Sequence, residues 1–345
     1  MICGKLLRLF WKGILVTAMA FMADAVVAAD ELTFRVFDKT VNRIDNRLFG
    51  QFLERPSGEE SGPEAVADPQ TGRLPVTVVT LLKAMRIPVI RFPGGTDVDY
   101  IDWTDLVDNV PGRDGSRPTT TVGSNAITNR FGYAEYFGLR DELDCETIIV
   151  LNLLDALAKK RPLDQAALHA AGLVAYCNAK VGTELPTGMP DWPGVRAKNG
   201  HPSPFRVECF QLGNEWQHFR DEVVEAGKIA DREALAKWYV EVLHAFICSI
   251  RAVDPDVKLI IDGRIGDDME KIVLRDPEIR KAVRYVAFHM YAPGYVGPVW
   301  MEKAPAEPVS LSLQDWWYAF SSMPGEVRDG VNVGLGAQID FAREL

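Results

Sequence analysis

Two rhythms of apolar positions alternate along the chain. Six short, mostly apolar runs stand out: "RLFGQFLE" (47–54), "IPVIRFP" (87–93), "ETIIVLNL" (146–153), "VECFQLGN" (207–214), "VKLIIDG" (257–263) and "YVAFHMY" (285–291). Runs of this kind suit strands buried on both faces of a parallel sheet. Between them, apolar residues recur at steps of three and four. Over 231–252, Leu235, Trp238, Tyr239, Val242, Phe246 and Ile250 form one stripe, which Asp231 can cap and Asp254-Pro255 ends. Residues 75–85 read as a helix through Val78, Leu81, Leu82 and Met85, and 132–143 and 164–179 read similarly. Strand and helix in this order predict an α/β fold with a parallel sheet. An earlier segment, "LTFRVF" (32–37), alternates like a strand with one wet face. The long Gly- and Pro-rich loop 182–205 is expected at the site end of the sheet.

The first residues carry a different pattern. Lys5, Arg8 and Lys12 precede or flank a short apolar stretch, Gly13 to Met22, and Val27-Ala28-Ala29 offers small residues for cleavage. That order predicts a secretory signal peptide over 1–29, hence a secreted or periplasmic protein. A membrane anchor is the weaker alternative, because Asp24 stops the apolar run short of the ~20 residues a span needs. The remaining chain, from residue 30 to residue 345, has room for one (β/α)8 barrel of about 250 residues plus extra pieces. Six barrel-type strands are found where a closed barrel has eight, so the barrel reads as incomplete.

The net charge of −10, which grows more negative without the basic leader, repels phosphate backbones and anionic lipid heads. Nucleic acid and membrane surfaces are therefore poor partners, and a neutral substrate fits. Five cysteines (Cys3, Cys145, Cys177, Cys209 and Cys248) show no CxxC or Cys/His spacing that suggests a metal. Free thiols buried in strands and helices are expected.

The chemistry concentrates where apolar runs end. "QLGNEW" (211–216) closes a strand with Asn214-Glu215 beside Trp216. In a barrel that end faces the active site. A carboxyl group there can protonate a glycosidic oxygen, and apolar neighbours would raise its pKa. Trp216 could stack on a sugar. "FHMY" places His289 and Tyr291 on one strand face, "GQFLE" ends in Glu54, and "RFPGG" brings Gly94-Gly95 close to any ligand. Arg91 could pair with a neighbouring carboxylate.

These motifs, in this order, resemble glycoside hydrolase family 51, the α-L-arabinofuranosidases. The most specific block is "YCNAKVGTELPTGMPDWPGVRAKNGHPSPFRVECFQLGNEW" (176–216), and "LFGQFLE", "RFPGG", "RFGYAEYFGL" and "VAFHMY" fit the same order. The resemblance implies a (β/α)8 barrel carrying a β-sandwich, to which a strand within 30–46 would belong, with 47–345 as the partial barrel. It implies retaining hydrolysis of arabinofuranosyl groups on plant polysaccharides, with Glu215 as general acid/base and Asn214 on the sugar 2-hydroxyl. Glu54, His289 and Tyr291 match positions lining the sugar pocket; no metal or organic cofactor is expected. Thr96 stands where the family has Asn. The family's nucleophile, a Glu ending the seventh strand, is expected to be absent from this chain. Two alternatives remain open: another retaining barrel glycosidase acting on β-glucan or xylan, and a carbohydrate-binding relative without catalysis. A homo-oligomer is also open.

Overall fold

The computed structural model describes residues 44–55, 62–122, 125–263 and 269–289, and the backbone of four two-residue strands between 295 and 332. The chain divides into two compact units, Ile44–Gly294 with Ser321–Leu345, and Met1–Arg43 with Tyr295–Phe320. The first unit holds the sheet, the helices and every candidate site residue that is described. The expected leader, the strand 32–37 and Tyr291 lie outside the described residues.

Six strands form one parallel sheet: β1 (Gln51–Glu54), β2 (Val89–Gly94), β5 (Glu146–Leu151), β6 (Cys209–Leu212), β7 (Lys258–Gly263) and β8 (Val283–Phe288), adjacent in that order. A small antiparallel hairpin, β3 (Thr120–Val122) with β4 (Asn125–Ile127), sits in the excursion after β2. Each sheet strand pairs with the next sheet strand along the chain, the arrangement that successive βαβ units produce. Among the described residues the sheet is not closed. All six strands predicted from apolar runs are present.

Helices α1 (Val76–Met85), α2 (Tyr133–Leu143), α4 (Leu163–Asn178) and α7 (Arg232–Val253) fall within one or two residues of their expected bounds. Shorter ones are α3 (Leu154–Leu157), α5 (Trp192–Lys198), α6 (Arg220–Gly227), α8 (Met269–Val273) and α9 (Pro277–Ala282). On α7 the Asp231 side chain accepts from the Ala234 N–H, and Leu235, Tyr239, Val242, Phe246 and Ile250 are buried. Helix α7 packs on α4, whose buried alanines let the two helices approach closely.

Three expectations are corrected. The segment 47–54 is not buried on both faces: Leu48 and Phe49 belong to a 3-10 turn, and Phe52 is exposed on β1, an edge strand of the sheet. The loop 182–205 does not lie at the site end. It joins the C-terminus of α4 to the start of β6, where the Phe205 N–H donates to the Cys177 carbonyl, so it braces the opposite end of the parallel strands. Of the cysteines, Cys177 is buried and Cys145 and Cys209 are half-buried, but Cys248 lies exposed on α7; all four are free thiols.

Candidate active site

A parallel sheet sends all its strand C-termini to one end, and the polar residues that interrupt the apolar runs collect there. β1 ends in Glu54 and β2 in Gly94; β6 is followed by Gly213-Asn214-Glu215, β7 carries Asp262, and β8 is followed by His289.

Glu215 is the centre of the arrangement. Gly213 (φ 77°) and Glu215 (φ 50°) both occupy the left-handed region, which turns the chain sharply out of β6. A Cβ on Gly213 would also meet the Leu153 Cβ at 3.0 Å. The Glu215 side chain is about one-fifth exposed, as is His289, so the pair faces the strand-end surface without lying on it. Its Oε1 is 2.8 Å from His289 Nδ1, and its Oε2 is 3.9 Å from the exposed His218 Nε2. The hydrogen bond from His289 holds the Glu215 carboxyl below the ordinary range, outweighing the upward push of burial. The strand-end pattern alone predicts apolar neighbours that raise it, and that expectation is corrected. The neighbours that decide are a pair of histidines and Arg91, each favouring the carboxylate.

Behind Glu215 stands a second layer of buried acids. The Asp262 carboxyl is almost fully enclosed; it accepts the Glu215 backbone N–H and, at 3.1 Å, the Gln211 amide, and its Oδ1 lies 4.0 Å from His289 Nε2. Asp99, also enclosed, accepts the backbone N–H groups of Asn214 (3.0 Å), Leu153 (2.9 Å) and Leu154 (3.3 Å). Burial pushes Asp99 up to about 6 against those three donors, and pushes Asp262 well up, with Asp99 adding to it. These two carboxyl groups fix the backbone that presents Asn214 and Glu215.

A third group joins β1, β2 and β6. Arg91 donates to Asn214 Oδ1 at 2.8 Å and reaches Glu54 Oε1 at 3.8 Å. Arg91 thus orients the Asn214 amide and neutralises Glu54. Glycines at 94 and 95 make room for Glu54: a Cβ at Gly95 (φ 79°) would meet its Oε2 at 2.5 Å. Thr96, exposed, opens the turn after Gly95, and the next residue, Asp97, is buried 4.0 Å from the enclosed Arg55.

Of the residues singled out in the sequence, Glu54, Asn214, Glu215 and His289 come together, with Arg91 joining three of the strands. Trp216 does not join them. It is fully buried, with its ring 4.9 Å from that of Tyr239 on α7, so it is a core residue and offers no face to a sugar. The helical turn after Glu215 points it inward, a reversal that strand-end spacing could not reveal. Sequence reasoning missed Asp262, Asp99 and Gln211. Asp262 left a signal, an acid closing the otherwise apolar run "VKLIID"; Asp99, inside "TDVDYID", left none. Among the described residues no group of three or more His, Cys, Asp or Glu side chains is placed to hold a metal ion.

Known proteins share this framework. A family model described as the alpha-L-arabinofuranosidase 1 domain matches residues 81–296. An intracellular exo-alpha-(1->5)-L-arabinofuranosidase of Streptomyces lividans is 27% identical over 277 residues, covering 75% of this chain and 37% of its own length. A protein of the same name, numbered 1, from Bacillus subtilis (strain 168) is 25% identical over 267 residues, covering 73% of this chain and 46% of its own. Among solved structures, the thermostable GH51 alpha-L-arabinofuranosidase of Thermotoga petrophila RKU-1 superposes with a TM-score of 0.54 at 24% identity, over 73% of this chain and 47% of that one. The chain therefore spans less than half the length of these relatives. The expectation of a secreted or periplasmic protein is corrected by the same comparison, since these bacterial relatives are named as intracellular enzymes.

Proposed function

This chain belongs to the alpha-L-arabinofuranosidase 1 domain family, and on that ground we propose that the protein takes part in the retaining hydrolysis of α-L-arabinofuranosyl groups, with Glu215 as general acid/base. One observation carries the assignment. A half-buried carboxyl at the C-terminal end of a central parallel strand is hydrogen-bonded to an imidazole and flanked by an Arg-anchored amide.

In the first half of a double displacement the acid/base protonates the leaving oxygen; in the second it takes a proton from water. Glu215 held low by His289 suits the second step directly. The first requires the protonated form of Glu215, which returns to the carboxylate as its proton passes to the leaving oxygen. Asn214, its Oδ1 occupied by Arg91, has its NH2 left to donate to a sugar hydroxyl. Glu54 and His289, with Thr96 and Tyr291, would line the pocket for the terminal sugar. No described residue is assigned the nucleophile's role. The substrate is an oligosaccharide or polysaccharide bearing arabinofuranosyl ends.

The test is hydrolysis of an aryl α-L-arabinofuranoside by the protein and by Glu215→Gln, beside aryl β-glucoside and β-xyloside. Turnover of the arabinofuranoside alone, falling about 10²–10⁴-fold in the variant, supports the reading. Turnover that the variant leaves unchanged overturns it. Arabino-oligosaccharide binding without turnover of any of the three sugars points instead to a binding-only relative.

A further inference from the structure

The two carboxyl oxygens of Glu215 meet different neighbours. Oε1 is 2.8 Å from His289 Nδ1, whereas Oε2 lies 3.9 Å from His218 Nε2. The second separation is too long for a hydrogen bond between the two side chains, yet a single oxygen can sit within hydrogen-bond distance of both.

His218 is held there by its own turn. Trp216–Phe219 form a 3-10 turn directly after Glu215, and the His218 N–H donates to the Glu215 carbonyl at 2.9 Å. Aromatic packing anchors both ends of the turn. Trp216 is buried with its ring 4.9 Å from that of Tyr239, and the half-buried Phe219 meets the ring of Tyr100, in the segment after β2, edge-on at 5.1 Å. Gln217 is buried too, while the His218 side chain is 57% exposed. The turn thus turns one polar side chain outward, at a fixed place beside the carboxyl group.

We propose that His218 is a specificity-determining residue on the leaving-group side of the site, where its imidazole hydrogen-bonds a hydroxyl of the sugar being released. This rests on the reading of Glu215 as general acid/base. With Oε1 engaged by His289, Oε2 is the oxygen left to exchange a proton with the leaving oxygen. The group bonded to that leaving oxygen then lies beside Oε2, within reach of His218. A ring nitrogen of a neutral imidazole either donates or accepts, and a sugar hydroxyl does both, so the two match in either tautomer. A simple alkyl leaving group offers no hydroxyl and gains nothing from the contact.

The experiment measures binding by calorimetry to the whole chain carrying Glu215→Gln, which prevents cleavage. One probe is methyl α-L-arabinofuranoside, whose leaving group has no hydroxyl. The other is the α-linked disaccharide of L-arabinofuranose, whose leaving sugar has several. Adding His218→Ala should weaken the disaccharide about five- to tenfold, the effect of one net hydrogen bond, and change the methyl glycoside less than about twofold. His218→Gln keeps a donor and an acceptor and should recover part of the loss. A disaccharide affinity that moves less than about twofold overturns the proposal. So does an equal loss for both probes, since His218 would then act on the site as a whole. If the methyl glycoside binds and the disaccharide ignores His218, this proposal alone fails. If neither probe binds, the arabinofuranosidase reading fails and takes this one with it.

Discussion

The block 176–216 that carries most of the family resemblance divides, in three dimensions, into two regions with opposite uses of charge. Its first part, through Phe205, is a brace. Arg196 is fully buried, and its guanidinium donates to backbone rather than to a carboxylate: the carbonyls of Tyr176 (2.7 Å), Ala179 (2.8 Å) and His201 (3.0 Å). Phe205 stacks on Phe137 at 3.9 Å, and Trp192 packs edge-on to Trp103 at 4.6 Å. A single planar cation there closes one loop onto a helix end, a task that suits the fixed fork of arginine. Its second part, 209–216, lies in a cradle: Asp99 and Asp262 accept the backbone N–H groups of Asn214 and Glu215, and Arg91 and His289 hydrogen-bond to their side chains. The brace satisfies its buried cation with main-chain oxygen. The cradle leaves Glu215 and His289 partly open, and its acids sit away from their ordinary ionisation. Motif strength in a sequence therefore marks both structural and chemical constraint, and only burial and partners separate them.

The sharpest way to break this division is Trp216→Ala, because Trp216 sits at the seam. As a core residue it should cost about 3–5 kcal/mol of stability in urea unfolding. If it served the sugar instead, stability would hold and KM for an arabinofuranoside would rise.

Arg196→Ala tests the brace itself. Leaving the carbonyls of Tyr176, Ala179, His201 and Pro202 without their donor should cost about 3–4 kcal/mol. The loss should appear in urea unfolding, and an unchanged midpoint would show that the brace does not depend on this cation.

Asp99→Asn sharpens the comparison through pH. The folded Asp99 sits at about 6, above an unfolded value near 3.9. Relative to the ionised state, its raised value contributes stability that is fully present below the unfolded value and lost as pH rises towards 6. The variant should flatten that part of the stability profile between about pH 4 and 6, a change of about 2–3 kcal/mol. A profile identical to the wild type would mean that the three N–H donors already offset the burial.

The smallest effect belongs to Asp102, which borders the brace. Burial raises it, but the hydrogen bonds from His169 (2.9 Å) and Thr104 more than reverse that and hold it well below the ordinary carboxylate range. A depressed value gives stability that is present above the unfolded value near 3.9 and lost as pH falls below it. His169→Gln should cost about 1 kcal/mol at neutral pH and less at about pH 3, read by thermal unfolding.

The strands, the long helices and the strand-end acids Glu54 and Glu215 were legible in the one-dimensional pattern. They follow from apolar periodicity and from the rule that parallel strands all end on one side, so "QLGNE", "GQFLE" and "FH" had to meet if the runs were strands. Packing alone settled which way Trp216 points, that 182–205 braces the far end, and that Glu215 is lowered rather than raised. It also placed Asp99 and Asp262 behind the site. Orientation and ionisation depend on neighbours distant in sequence: Asp99 meets Asn214, and His289 meets Glu215, across 115 and 74 residues. Local pattern fixes which face a residue occupies on its own element; the charge it carries is set by what the rest of the chain brings against it.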